Sequence, residues 1–291
     1  MISYIGHKSN LAARLTKRIV MVNSEIISIF NVYKDSIFGI ENDLRFWKGF
    51  LKVAIDNYSK FEEREIYTSI FGAYDIDYLS NAGYLKCHKE IFQISTPDLE
   101  TKRQDFFNWI INLSVLRAYN SLEILLLRSI QKSYYSNFED PLNGKKQSDK
   151  IQNEIRDFLI ANSIKFETKN NEHLLQFLIK KSPKIDTFLS HKMNVDLNTT
   201  WLNFFFIISI LRNIIAHQGM IIQPNLLNDI KSKAKDVFER YFSLKNNISG
   251  FQILSPIEKE FGNFLTYVNS FSLTMNKLIF NKDNLDFIGL E

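Results

Sequence analysis

WLNFFFIISILRNIIAHQG, residues 201–219, is the most apolar run in the chain, yet it closes on Arg212, Asn213 and His217. Wound at about 100° per residue, it places His217 about one turn beyond Asn213, and Ser209, Ala216 and Arg212 fill an arc of roughly 140° beside them. Phe204, Ile207, Ile208, Leu211, Ile214 and Ile215 occupy the other side and require a core. Leu202, Phe205 and Phe206 close the polar arc toward the helix start, so the polar patch is confined to the last two turns. Asn198, Thr199 and Thr200 are N-cap candidates, and Gly219 is a natural stop.

A patch of this kind suits a membrane feature, a structural network or a reactive site. A membrane span needs about 20 consecutive apolar residues, and an Arg, an Asn and a His in its terminal third would each be costly there. A structural network needs Arg212 to meet a buried carboxylate and Asn213 and His217 to satisfy nearby backbone. Spacing alone favours that network.

The order Arg212-Asn213-Ile214-Ile215-Ala216-His217, at the end of a strongly apolar helix, resembles the signature of the HEPN superfamily. Many of its members are metal-independent endoribonucleases of toxin–antitoxin, abortive-infection and other antiviral systems. The resemblance implies a HEPN-like helical bundle, no cofactor, an RNA substrate cut to 2′,3′-cyclic phosphate and 5′-hydroxyl ends, and a homodimer with two motifs across a shared cleft. An antitoxin or regulatory protein is the further partner it suggests. The same fold also serves as a non-catalytic dimerisation or nucleotide- and RNA-binding module, in which Arg212 and His217 only hold the helix end.

The chemistry fits the residue types. Histidine exchanges protons near neutral pH, its reference pKa being about 6.5. Arginine stays charged and offers a phosphate two parallel hydrogen bonds. Asn213 could orient the imidazole or a phosphate oxygen. The carbonyl end of a helix favours a cation, which biases His217 toward the acid's role. Ser209 lies on the polar arc as a substrate contact.

A second informative helix is expected at about Thr101 to Ser133. Arg117, Asn120, Ser121 and Arg128 mark its exposed face, and Glu123 falls on the apolar side between Leu116, Tyr119 and Leu127. A carboxylate buried there without a cation or donor would have a raised pKa or cost several kcal/mol. In the superfamily a helix before the motif often supplies an acidic or polar residue near the Arg and His, and Glu123 matches that role. Snorkelling to solvent or pairing with a structural Arg are the bland uses of the same residue.

Composition sets the outer bounds. The 291 residues hold 25 Phe, 10 Gly and 5 Pro, few breakers among many apolar residues, which favours long helices. The expected fold is mostly α with at most short strands. Net charge is +4, compatible with nucleic acid and equally with a Lys-rich solvated surface. The one cysteine, Cys87, excludes an intrachain disulfide and suits the cytoplasm. The first helix is expected at about Asn10 to Asp35; the apolar run after Lys8, Arg14, Lys17 and Arg18 is broken by Asn23, Ser24 and Glu25 and lacks a cleavage site, so it does not read as a signal peptide.

A second helix is expected at Glu41 to Phe61, with short helical pieces at Ile66 to Phe71 and Ile76 to Ala82. A short strand fits Ile91 to Ile94. Pro97 divides a helical region, residues 1–97, from the HEPN-like domain, residues 98–291. Asn137 to Lys150 reads as a loop, in which Lys145 and Lys146 suit a basic substrate-facing segment or a surface linker. Helices follow at Ile151 to Asn162, Glu172 to Lys181, Ile185 to His191 and Leu226 to Phe242. A short strand fits Phe251 to Leu254, and a last helix runs from Pro256 to about Phe280.

Rival sites lack support. His7, His88, His173, His191 and His217 make no HxxxH pair, Cys87-His88 has no second half, and no P-loop or GxGxxG occurs.

Overall fold

The computed structural model describes residues 5–60, 65–76, 85–166, 171–246 and 250–280. Among them the protein is mostly helical, with eight α-helices and three separate two-stranded antiparallel sheets. In chain order the long elements begin with α1 (Ile5–Tyr58), β1 (Glu65–Ile76), β2 (Leu85–Ser95) and α2 (Leu99–Tyr134). Then come α3 (Lys145–Ala161), α4 (Glu172–Lys181), α5 (Pro183–Ser190), β3 (Lys192–Asn194), β4 (Leu197–Thr200) and α6 (Trp201–His217). The chain closes with α7 (Pro224–Tyr241), β5 (Phe242–Asn246), β6 (Gln252–Pro256) and α8 (Phe261–Ile279).

The chain divides into two units, Met1–Glu41 with Ile111–Glu291, and Asn42–Ile110. The boundary expected at Pro97 is therefore replaced by two that fall inside α1 and α2. Pro97 belongs instead to the 3-10 turn Thr96–Asp98 that opens α2, where the Ser95 N–H donates to the Asp98 carboxylate at 2.9 Å. A proline in the first turn of a helix removes no internal hydrogen bond.

In the larger unit α6 is the buried element. Its side chains Phe204, Phe205, Ile207, Ile208, Leu211 and Ile214 are all at most 2% exposed. Phe205 meets Tyr119 of α2 and Phe271 of α8, with ring centroids 5.8 and 5.7 Å apart. Phe204 packs edge-on against Phe264 of α8 at 5.9 Å. The Thr200 side chain caps the helix by accepting the Asn203 N–H. Gly219 has φ 56°, the left-handed conformation that lets the chain turn away. Beyond that turn the Ile222 N–H donates to the Gln252 carbonyl and the Leu254 N–H to the Met220 carbonyl, so β6 holds the segment following His217.

Several expectations change. The two helices read at 10–35 and 41–61 are one helix, α1, because Gly39 does not break it. A Cβ at Gly39 would lie 2.7 Å from Arg117 Nη2, so glycine here admits the crossing guanidinium of α2. The face of α2 read as exposed is partly covered: Ser121 shares a 2.6 Å hydrogen bond with Ser36, and Arg128 forms an ion pair with Asp140 at 2.7 Å. The short helical piece expected at Ile66 to Phe71 is instead strand, and the strand expected at Ile91 to Ile94 is longer. β1 and β2 have 12 and 11 residues and pair from Glu65↔Ser95 to Ile76↔Leu85. Ile66, Tyr67, Thr68, Ile70 and Phe71 are β-formers, and pairing partners some twenty residues away convert a window that also suits a helix. Residues 77–84, the remainder of the second helical piece expected there, lie outside the described residues. β3, β4 and β5 were not anticipated from the sequence.

Lys145 and Lys146 sit in the first turn of α3 and not in a loop. The non-helical segment ends at Gly144, after which Ile151, Ile155 and Leu159 recur every four residues and are fully buried.

One buried group makes the larger unit sensitive to acid. His173 of α4 is 0% exposed, and neither ring nitrogen has a hydrogen-bond partner. Burial, assisted by the Arg156 charge, pulls its pKa down to about 4. The unfolded chain takes up the proton first, so stability is full above about pH 6.5 and falls as pH drops toward 4, by up to about 3 kcal/mol. Denaturant midpoints of the wild type should therefore fall across that window, and those of His173→Met should fall less and stand higher at neutral pH. Parallel curves for the two proteins would refute this origin of the acid loss.

Candidate functional site

Three helices bring a polar cluster to the last two turns of α6. From α2 come Tyr119 and Glu123, one turn apart on the same face. From the start of α4 comes Asn171, with φ 54°, a left-handed conformation that asparagine tolerates better than most residues. From α6 come Ser209, Arg212 and Asn213.

Tyr119 ties these together. It is 2% exposed, donates to Ser209 Oγ at 3.1 Å and accepts from Asn171 Nδ2 at 3.0 Å. Burial pushes its hydroxyl up to about 12; the bonds to Ser209 and Asn171 and the Arg212 charge oppose the rise, and the Glu123 charge adds to it. The phenol is thus a fixed neutral donor. The Arg212 guanidinium carbon stands 5.9 Å from the centre of the Tyr119 ring, and Nη1 donates to Asn213 Oδ1 at 2.8 Å. Arg212 Nε is buried and has no hydrogen-bond partner. The guanidinium is half-buried, held by the ring and by its neighbour in sequence.

Glu123 is half-buried. Burial raises its pKa, and the Arg212 charge and the Asn171 amide act in the opposite direction. A cation or a donor was expected beside this carboxylate, and the Arg212 charge and the Asn171 amide are one of each. His217, the last residue of α6, is exposed to solvent. Asn213 and His217 follow Ser209 at steps of four, so one strip of the helix passes from buried hydroxyl through half-buried amide to exposed imidazole.

The structure thus groups Glu123, Arg212 and Asn213 and leaves His217 open at the same helix end. Ser209 was expected to touch substrate. It is 1% exposed, because its position on α6 faces α2, and its hydroxyl serves Tyr119. That expectation is corrected. Lys145 and Lys146 are exposed on the first turn of α3, an element that contributes no residue to the cluster.

Tyr119 and Asn171 were missed as members of the cluster. The one available signal was a tyrosine four residues before a carboxylate on an otherwise apolar helix face. Asn171 gave none, since its side chain reaches Tyr119 from 52 residues away. Among the described residues no three His, Cys, Asp or Glu side chains come together as a metal site would need. α2 is long and apolar enough to cross a membrane by length and composition alone, and 56% of its most apolar window is buried within the protein.

No family model matches the chain, and no match is found among curated proteins or solved structures.

Proposed function

We propose that the protein is a metal-independent endoribonuclease of the HEPN type, acting in the cytoplasm on tRNA or mRNA as part of a toxin–antitoxin or antiphage system. The observation that carries the reading is the end of α6: a half-buried Arg212 bonded to Asn213 and felt electrostatically by Glu123, beside a solvent-exposed His217. A residue serving only as a helix stop has no use for that combination.

In this reading Arg212 stabilises charge on the phosphorane, and Asn213 fixes the guanidinium so that its free edge faces the phosphate. His217 protonates the leaving 5′-oxygen. Glu123 holds Arg212 against the loss of its hydration. The base that removes the 2′-hydroxyl proton is the His217 of a second copy, since one imidazole cannot serve both faces of one phosphate. An antitoxin or other protein restrains the activity.

Purified protein incubated with total RNA and tRNA in EDTA should yield fragments ending in 2′,3′-cyclic phosphate and 5′-hydroxyl. Cleavage that disappears with EDTA, or ends of the opposite polarity, would exclude this chemistry. Intact RNA bound by wild type and His217→Ala alike would assign the cluster to a non-catalytic binding module.

A further inference from the structure

Next to the Arg212 cluster α6 walls a second concavity. Glu172 and Leu175 of α4, Leu202, Phe205 and Phe206 of α6, and Lys233 of α7 line a cleft of about 190 Å³. Leu175 and Phe205, 1% and 2% exposed, form its floor, and Glu172, Leu202 and Phe206 are half-buried at its sides. The Asn203 amide donates to the Lys233 carbonyl at 3.0 Å, which fastens α6 to α7 at one wall. Two charges of opposite sign share the cleft. Lys233 ion-pairs with Asp229 at 3.2 Å and lays its ammonium 3.5 Å from the centre of the Phe206 ring. Glu172 accepts from Gln176 at 3.4 Å, a long bond. Helix polarity accounts for an acid in the first turn of α4, but not for its place against apolar walls, where a carboxylate needs donors. The cleft adjoins the cluster on two elements. Glu172 follows Asn171, whose amide donates to Tyr119, and Phe205 packs on the Tyr119 ring. Along α6, Phe206, Asn213 and His217 fall within about 40° of one another, with Phe206 roughly 10 Å before Asn213. An RNA strand with its phosphate on Arg212 therefore reaches the cleft with a neighbouring base.

We infer that this cleft is a base subsite that selects guanine beside the scissile phosphate. The inference rests on the ribonuclease reading for its ligand and adds which base that ligand carries. Size restricts the occupant. Pockets for drug-sized ligands run to roughly 300–1,000 Å³, so this one takes a single planar ring system. Single-stranded RNA offers such rings unstacked, and proteins read them on their Watson–Crick edges. Charge then selects among the bases. A carboxylate only accepts, through two oxygens side by side. Guanine alone sets two donors, N1–H and N2–H, next to each other, with the O6 acceptor following them. Adenine and cytosine place an acceptor beside their amino donor, which would face the second Glu172 oxygen, and uracil has one N–H between two carbonyls. Lys233, with three N–H groups, can keep Asp229 and donate to O6. Leu175, Leu202 and Phe206 supply the apolar contact for the ring.

Binding is measured on the full chain carrying His217→Ala, so that no RNA is cut. Fluorescence anisotropy compares single-stranded hexauridylate with the same hexamer carrying one G, A or C. The guanine hexamer should bind tightest, by roughly 5- to 100-fold, the discrimination typical of one bidentate pair. Adding Glu172→Gln, which exchanges an acceptor for a donor, should bring it to the level of the others. Leu202→Trp, which fills the cleft, should do the same, and circular dichroism should match for all three proteins. Equal binding of the four hexamers, or none, overturns the inference, as does a guanine preference that survives either added substitution in a folded protein. Neither outcome decides the ribonuclease reading, which falls instead if the wild type leaves RNA intact. Guanine binding that depends on Glu172, in a protein that cleaves no RNA, would keep the subsite and reject the nuclease.

Discussion

His217→Ala should lower the rate of RNA cleavage by roughly 10²–10⁴-fold, the contribution typical of one general acid or base. Its thermal unfolding should stay within a degree or two of the wild type. Both halves of the expectation come from the same placement. His217 is the last residue of α6 and exposed, so its imidazole contributes little to the core. The helix end itself is fixed by other means, the Gln218 N–H donating to the Ile214 carbonyl and Gly219 turning left-handed after it. Rates measured on a defined RNA with both proteins, together with their melting curves, check this. Undiminished cleavage by His217→Ala would remove the histidine from the reaction and the ribonuclease reading with it.

Arg212→Ala should fail in two ways at once. Cleavage should fall by about 10²–10³-fold, as when one charge-stabilising donor is lost. Stability should also fall by roughly 2 kcal/mol, less than the roughly 3–5 kcal/mol for a fully buried pair because Arg212 keeps part of its surface in water. The second loss arises because Glu123, half-buried, would keep its burial penalty and lose the Arg212 charge that offsets it.

Glu123 gives the means to separate the two. Its pKa is raised by burial, so the folded state holds the proton more tightly than the unfolded chain. The linked penalty is absent below the unfolded pKa and grows as pH rises through the folded one. Glu123→Gln should therefore leave stability at pH 7 unchanged or higher. Added to Arg212→Ala, it should restore most of the lost stability and none of the activity. Denaturant titrations of the two single variants and the double variant complete the cycle. Additive stability changes would show that Glu123 and Arg212 do not act as a pair.

What the sequence alone determined is the set of features carried by local periodicity. α6 begins and ends within two residues of its expected span, with its cap, Thr200, among the three candidates and Gly219 at its stop, because apolar spacing and cap residues are short-range signals. α4 was bounded correctly for the same reason, and the helical period put Glu123 on the apolar side of α2, where it is half-buried. What only the tertiary structure decided are relations between residues far apart in the chain. The β1–β2 hairpin depends on pairing, and windows rich in Ile, Tyr and Phe suit helix and strand alike until a partner is present. α1 runs unbroken through Gly39, where the missing Cβ leaves room for the Arg117 guanidinium. Ser209 and His217 share one polar strip by spacing, yet Ser209 is buried against α2 and His217 is exposed, so burial divides one strip into a structural hydroxyl and an accessible imidazole. Asn171 enters the cluster from a separate helix start, and no periodicity within its own segment encodes a tyrosine 52 residues away.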